Sequence, residues 1–274
     1  MAQYLGVALT LIHIIVLALI QGITEFLPVS SSGHLILVSK LTPWPDQTLV
    51  VDIALHVGTL AAVMVYFHRE CWSMVLGVFN LLLFRGGPEA RLALYVVVAT
   101  LPMIPAALYL KDYVAGDFRQ GVALIAWTTL GFGLLLYAAD RLGLRVRRVE
   151  HMTIGAALII GCAQILALVP GTSRSGITMT AARFLGFERV EAARFSLLLS
   201  IPVIIGAGTL AGADLYRMGS VEMNTVTVLA ILFSFVSALI AIAVMMRWLR
   251  RASFTPFVIY RICLGAGLLY WVYG

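Results

Sequence analysis

The sequence predicts an all-α integral membrane protein: a single polytopic domain over residues 1–274 with about six transmembrane helices and two re-entrant helical hairpins, arranged as an inverted-topology internal repeat. Three observations lead there. The 274 residues are 61% hydrophobic and 12% charged, with a mean hydropathy of +1.00, whereas soluble domains are about 45–50% apolar and about 25% charged. Two apolar runs are interrupted by polar knots, QGITEFLPVSSSGH at 21–34 and PGTSRSGIT at 170–178. The basic residues fall unevenly between the apolar runs. Barrel strands of roughly 10 alternating residues do not fit runs this long.

Taken in order, apolar segments lie at 5–20, 48–67, 72–84, 92–110, 119–139, 153–169, 194–212, 224–246 and 254–273. The first lacks a basic leader region and a small-x-small cleavage site, so it is read as mature structure. It runs into the first knot and continues as a short apolar piece, His34 to Leu41. The run 153–169 behaves likewise, meeting the second knot and returning over Ile177 to Leu185. A chain that enters, turns on polar residues near mid-membrane and leaves on the same side gives this pattern. The run 72–84 is short and is placed at the interface. The other six are uninterrupted and near the roughly 20 residues that a hydrocarbon crossing needs.

The basic residues check this layout. One face receives Arg69, Arg85, Arg91, Arg141, Arg145, Arg147, Arg148, Arg183, Arg189, Arg194, Arg247, Arg250 and Arg251; the other receives Lys40, Lys111, Arg119 and Arg217. Arg174 and Arg261 fall within the membrane. The positive-inside rule puts the first face in the cytoplasm and both termini outside. Full crossings at both knots divide the arginines less cleanly. Gln21, Pro28 and Gly33 find counterparts in Gln164, Pro170 and Gly176, and GTLA at 58–61 recurs at 208–211. The repeats span about 1–140 and about 152–274. Three crossings in each half invert the second, and such repeats place a site near the midplane. The net charge of +6 sits in short loops and does not suggest nucleic acid. Cys71, Cys162 and Cys263 have neither metal nor disulfide spacing and are assigned to packing.

The knots carry the chemistry. Glu25 follows Gln21 by one helical turn, on the same face. An end-capping role suits Glu25 in a soluble protein, but an ionisable residue in an apolar run is a functional candidate. Gln21 serves equally as helix-packing glue. Ser30, Ser31 and Ser32 after Pro28 read as the cap of a short helix, and a hydroxyl-rich helix N-terminus is itself an anion site. His34 is either a satisfied interfacial histidine or a proton carrier for a serine. In the second knot Thr172, Ser173, Ser175 and Thr178 supply hydroxyls. Arg174 supplies a fixed cation able to grip a phosphate or carboxylate, or simply to pair with Glu25. Asp52 and His56 are weaker supporting candidates. Together the knots describe a site for a phosphorylated ligand.

The two stretches closely resemble the signature motifs of the undecaprenyl pyrophosphate phosphatase family, the bacitracin-resistance membrane enzymes, and the resemblance extends over essentially the whole chain. It carries the first motif onto Gln21, Glu25, Ser30, Ser31, Ser32 and His34, and the second onto Ser173, Arg174, Ser175 and Thr178. Many relatives have Glu where this chain has Gln21. The resemblance implies hydrolysis of undecaprenyl diphosphate to the monophosphate in the bacterial plasma membrane, at an outward-facing site. It also implies dependence on a divalent cation, Mg²⁺ or Ca²⁺, with the metal ligands and any homo-oligomer left open. Arg174 and the loop amides are then expected to hold the diphosphate. Either Ser31 attacks phosphorus while His34 or Glu25 takes its proton, or one of those groups activates water directly. The alternatives from other classes are a polyprenyl-phosphate flippase using the same site and a structural membrane subunit.

Overall fold

The protein is described by a computed structural model covering residues 2–110, 121–144, 146–217 and 225–274, with residues 2–10 by backbone alone. Lys111, Arg119 and Arg145, residues 119–120 of one apolar run and residue 224 of another lie outside the described residues. In chain order the first half holds α1 (Ala2–Phe26), α2 (Ser31–Leu41), α3 (Leu49–Tyr66), α4 (His68–Leu82), α5 (Pro88–Thr100), α6 (Met103–Tyr109) and α7 (Val122–Leu142). The second holds α8 (Ile154–Gln164), α9 (Arg174–Phe184), α10 (Arg189–Arg217), α11 (Thr225–Leu249) and α12 (Thr255–Tyr273). Among the described residues the remaining regular structure is two short 3₁₀ turns and one isolated bridge between Arg147 and Phe187.

Among the described residues six helical stretches are long and apolar enough to cross a membrane: α3, α5 with α6, α7, α10, α11 and α12. They fall on the six uninterrupted runs, because in hydrocarbon a helix pairs every backbone N–H and C=O within its own segment. The run 92–110 is interrupted rather than continuous. Pro102 lacks an N–H and its ring clashes with the preceding turn, so α5 stops at Thr100 and α6 restarts at Met103. Trp72, Val75, Phe79 and Leu82 are exposed along α4, and Gly77 is its one buried residue.

The halves interlock by exchange. α1 packs on α11 and α8 on α5; α3 packs on α11 and α10 on α5; α3 meets α10, and α7 meets α12. Small residues permit the closest of these approaches. A Cβ on Gly22 would lie 1.9 Å from Ser237 Oγ, and one on Gly58 would lie 2.0 Å from Ser234 Oγ, both on α11. Lipid supplies no hydrophobic drive between helices, so such close backbone contact supplies the dispersion that holds them together.

An ionic latch closes the arginine-rich end. Asp140, 2% exposed, accepts from Arg189 Nε at 2.7 Å and Nη2 at 2.9 Å, and from Arg183 Nε at 3.3 Å. Arg183 also donates to the carbonyls of Leu144, Gly143 and Phe187. The last turn of α7 is thereby tied to the ends of α9 and α10 away from the polar knots.

Candidate active site

Each knot folds as a helix stop followed by a serine-capped helix. Pro28 biases the residue before it away from helical geometry, and α1 ends at Phe26. Ser30 then sits at φ 77° and caps α2, its Oγ accepting from the Gly33 N–H at 3.4 Å. In the second knot α8 tightens into a 3₁₀ turn over Ile165–Leu168, and Pro170–Gly171 reverses the chain. Ser173 at φ 73° caps α9, its Oγ accepting from the Gly176 N–H at 3.0 Å. A non-glycine residue held at positive φ costs about 1–3 kcal/mol, so the surroundings must over-determine both turns.

What holds them is visible in the carbonyls. Irregular backbone leaves C=O groups without helical partners, and where buried these need donors from protein. Arg261, on α12 and 0% exposed, supplies them. It donates to Pro28 O at 3.1 Å from the first turn, to Gly171 O and Thr172 O at 3.0 Å from the second, and to Thr129 O at 3.0 Å on α7. Thr128 Oγ1 donates to Pro170 O at 2.6 Å, and Ser175 Oγ donates across to Leu27 O at 2.8 Å. One buried guanidinium thus fastens both turns to each other and to α7.

Between the turns lies a cleft of about 370 Å³. Its polar floor is Glu25, Ser30, Ser31, Ser32, Ser173 and Arg174, joined by Asp52 and His56 from α3. Glu25 is at its centre. Its Oε1 accepts from Arg174 Nη2 at 2.8 Å; its Oε2 accepts from the Ser31 hydroxyl at 2.6 Å and from Gln21 Nε2 at 3.1 Å. Arg174 Nη1 is held by Ser196 O at 3.2 Å. Two of the five guanidinium N–H groups are thus committed and three are left for a ligand. Because Ser30–Ser32 open α2 and Ser173–Arg174 open α9, two helix N-termini face one space. Each presents unpaired N–H groups and the positive end of a helix dipole, an arrangement that attracts anions. Leu49, Ile53, Met103, Val203, Ile204 and Ala207 give the cleft apolar walls. A polar floor beneath apolar walls suits an amphiphile with a charged head.

The remaining expected residues lie around the cleft. Gln21 is fully buried behind Glu25, with its Oε1 unpartnered among the described residues. Ser175 holds the first turn, and Thr178 is buried against Ser196 Oγ at 2.7 Å. Thr172 is buried with its hydroxyl unpartnered among the described residues. His34 points elsewhere: its Nδ1 donates to Ser30 O at 2.6 Å, and its Nε2 meets the Tyr260 hydroxyl. In its place the structure brings His56 to the floor, with Nε2 4.0 Å from Glu25 Oε2. The signal for it was available, since His56 is an ionisable residue in the middle of an apolar run.

Glu25 and Asp52 are the two carboxylates on the cleft floor, fewer oxygen ligands than an all-protein divalent-cation cage takes. Among the described residues no group of three or more His, Cys, Asp or Glu side chains is placed to hold a metal ion. Glu25, the central carboxylate, is already neutralised by Arg174 and occupied on both oxygens.

Comparison with known proteins agrees with the geometry. The family model described as bacitracin resistance protein BacA matches residues 14–267. The chain is 54% identical over 265 residues to undecaprenyl-diphosphatase 1 of Rhodospirillum rubrum, covering 94% of each chain. It is 49% identical over 268 residues to the undecaprenyl-diphosphatase of Roseobacter denitrificans, covering 97% of this chain and 100% of that one. The undecaprenyl-diphosphatase of Hahella chejuensis is also 49% identical, over 266 residues.

Proposed function

The chain belongs to the bacitracin resistance protein BacA family, and from that premise we propose how its cleft performs the family's reaction. It is a multi-pass membrane enzyme that hydrolyses undecaprenyl diphosphate to undecaprenyl phosphate and inorganic phosphate. The observation that carries the site assignment is the pairing on Glu25: Ser31 donates to one oxygen at 2.6 Å while Arg174 holds the other at 2.8 Å.

In this reading the diphosphate enters between the N-termini of α2 and α9. Arg174's free N–H groups and the backbone amides bind its oxygens, as preorganised donors aimed at the charge that builds in the transition state. Ser31 Oγ attacks the terminal phosphorus and its proton passes to Glu25 Oε2. The bond to the bridging oxygen breaks, undecaprenyl phosphate leaves, and a phosphoserine remains for water to hydrolyse. A divalent cation, where bound, would offset the charge of the diphosphate oxygens. Translocation alone would leave the Ser31–Glu25 pair without a purpose.

The cleft uses the half of α3 away from Arg69 and the half of α10 away from Arg189. That supports an outward-facing site with both termini outside, by the positive-inside rule. Two re-entrant hairpins in an inverted repeat are supported by a constant offset. Gln21 and Gln164, Ser30 and Ser173, Gly33 and Gly176, and the bounds of α2 and α9 all stand 143 positions apart.

The test is phosphate release from undecaprenyl diphosphate by detergent-purified protein. The wild type should release it and a folded Arg174→Ala should not. Wild-type turnover in that variant contradicts the site.

A further inference from the structure

We propose that His56 is the general base of the second half-reaction, taking a proton from the water that hydrolyses the phosphoserine. This rests on the reading of Ser31 as nucleophile. His56 stands at the middle of α3 and lines the same cleft as Ser31 and Arg174. Its Nδ1 lies 2.8 Å from Asp52 O. A carbonyl only accepts, so Nδ1 carries the hydrogen, and the neutral ring keeps its lone pair on Nε2. That nitrogen is 4.0 Å from Glu25 Oε2, the oxygen holding the Ser31 hydroxyl. The separation is too long for a direct hydrogen bond. It leaves Nε2 without a hydrogen-bond partner among the described residues, beside the Ser31–Glu25 pair.

Proton accounting calls for such a group. After the first step Glu25 carries the serine proton and cannot accept another. It is needed to return that proton when the serine oxygen departs. In the second step water oxygen bonds to phosphorus and the bond from Ser31 Oγ to phosphorus breaks. Glu25 returns its proton to Oγ, and the water's proton goes to His56 Nε2 and then to solvent. His34 is turned to Tyr260. Asp52, the other carboxylate on the floor, already has its Oδ1 engaged by Gln47 Nε2 at 3.4 Å. The charged groups facing His56 are Glu25 from α1, Asp52 from its own helix and Arg174 from α9. The walls from α6 and α10 (Met103, Val203, Ile204, Ala207) are apolar, and α11 carries no titratable residue before Arg247.

The test is rapid acid quench of purified wild type, His56→Gln and Ser31→Ala with undecaprenyl diphosphate, following both phosphoserine and free phosphate. His56→Gln should form phosphoserine at Ser31 at about the wild-type rate. It should then release phosphate about 10²–10⁴-fold more slowly, the range for a lost general base, so that the phosphoenzyme accumulates. Added imidazole should speed release from His56→Ala, a rescue that only a folded protein lacking a base would show. His56→Gln with wild-type phosphate release, or slowed with no phosphoserine, overturns the proposal while an inactive Ser31→Ala leaves the nucleophile in place. Turnover by Ser31→Ala removes the nucleophile reading, and this proposal with it.

Discussion

At the start of α2 the first helical residue is Ser31; at the start of α9, 143 positions on, it is Arg174. Around those two positions the turns share their parts. Each has a capping serine at positive φ, a glycine amide bound to its hydroxyl, an 11-residue helix and a buried glutamine nine positions before the cap. They differ in what is mounted on the frame. The first turn follows Glu25 and offers a hydroxyl; at the matching place before the second stands Leu168. The frame supplies two helix N-termini, and in the proposed mechanism the residues at this matching position divide nucleophile from phosphate clamp.

Changing the substituents should cost most in rate. Arg174→Ala should lower phosphate release by about 10³-fold or more, in line with arginines that stabilise transferring phosphoryl groups. It should also destabilise the protein by about 3–5 kcal/mol, because Glu25 is left buried without its partner. Activity assays with a thermal melt read both effects. Ser31→Ala should match the rate loss and spare the melt.

Changing what both turns share should be felt as stability first. Arg261→Ala strands carbonyls in both turns, at about 1–3 kcal/mol for each buried group left unmade. The variant should melt markedly lower and lose activity together with fold, and Arg261→Lys should recover only part. Asp140→Asn, in the remote latch, should lower the melt while the surviving folded fraction keeps its turnover; loss of turnover in that fraction would couple the latch to the cleft. Ser173→Ala should cost about 1 kcal/mol, the usual worth of a helix cap. Chelation should stop turnover without moving the melt of substrate-free protein, the outcome expected of a cation that would be carried in by the diphosphate.

Most of the fold was legible because hydropathy alone selects crossings, and Pro28 and Pro170 mark the two stops. The interruption at Pro102 was missed because composition outweighed one proline in an apolar run. In the site, Glu25, Ser31 and Arg174 stood out as polar residues in apolar surroundings. Arg261 was seen as intramembrane but given no partner, since its partners are backbone carbonyls and carry no sequence signature. Spacing ranks His34 above His56, because His34 stands beside three hydroxyls and a carboxylate, yet each ring is held by a carbonyl one turn back. Only the packing of α3 against the turns shows which ring faces Glu25.

The most direct test of the central claim is the fate of the phosphoryl group on residues 27–34. Purified wild type mixed with undecaprenyl diphosphate and quenched within the first turnover should yield a peptide phosphorylated on Ser31. Ser31→Ala should yield none and release no phosphate above background. Turnover by Ser31→Ala within about threefold of wild type, well under the 10²-fold scale of a lost catalytic group, would contradict the account.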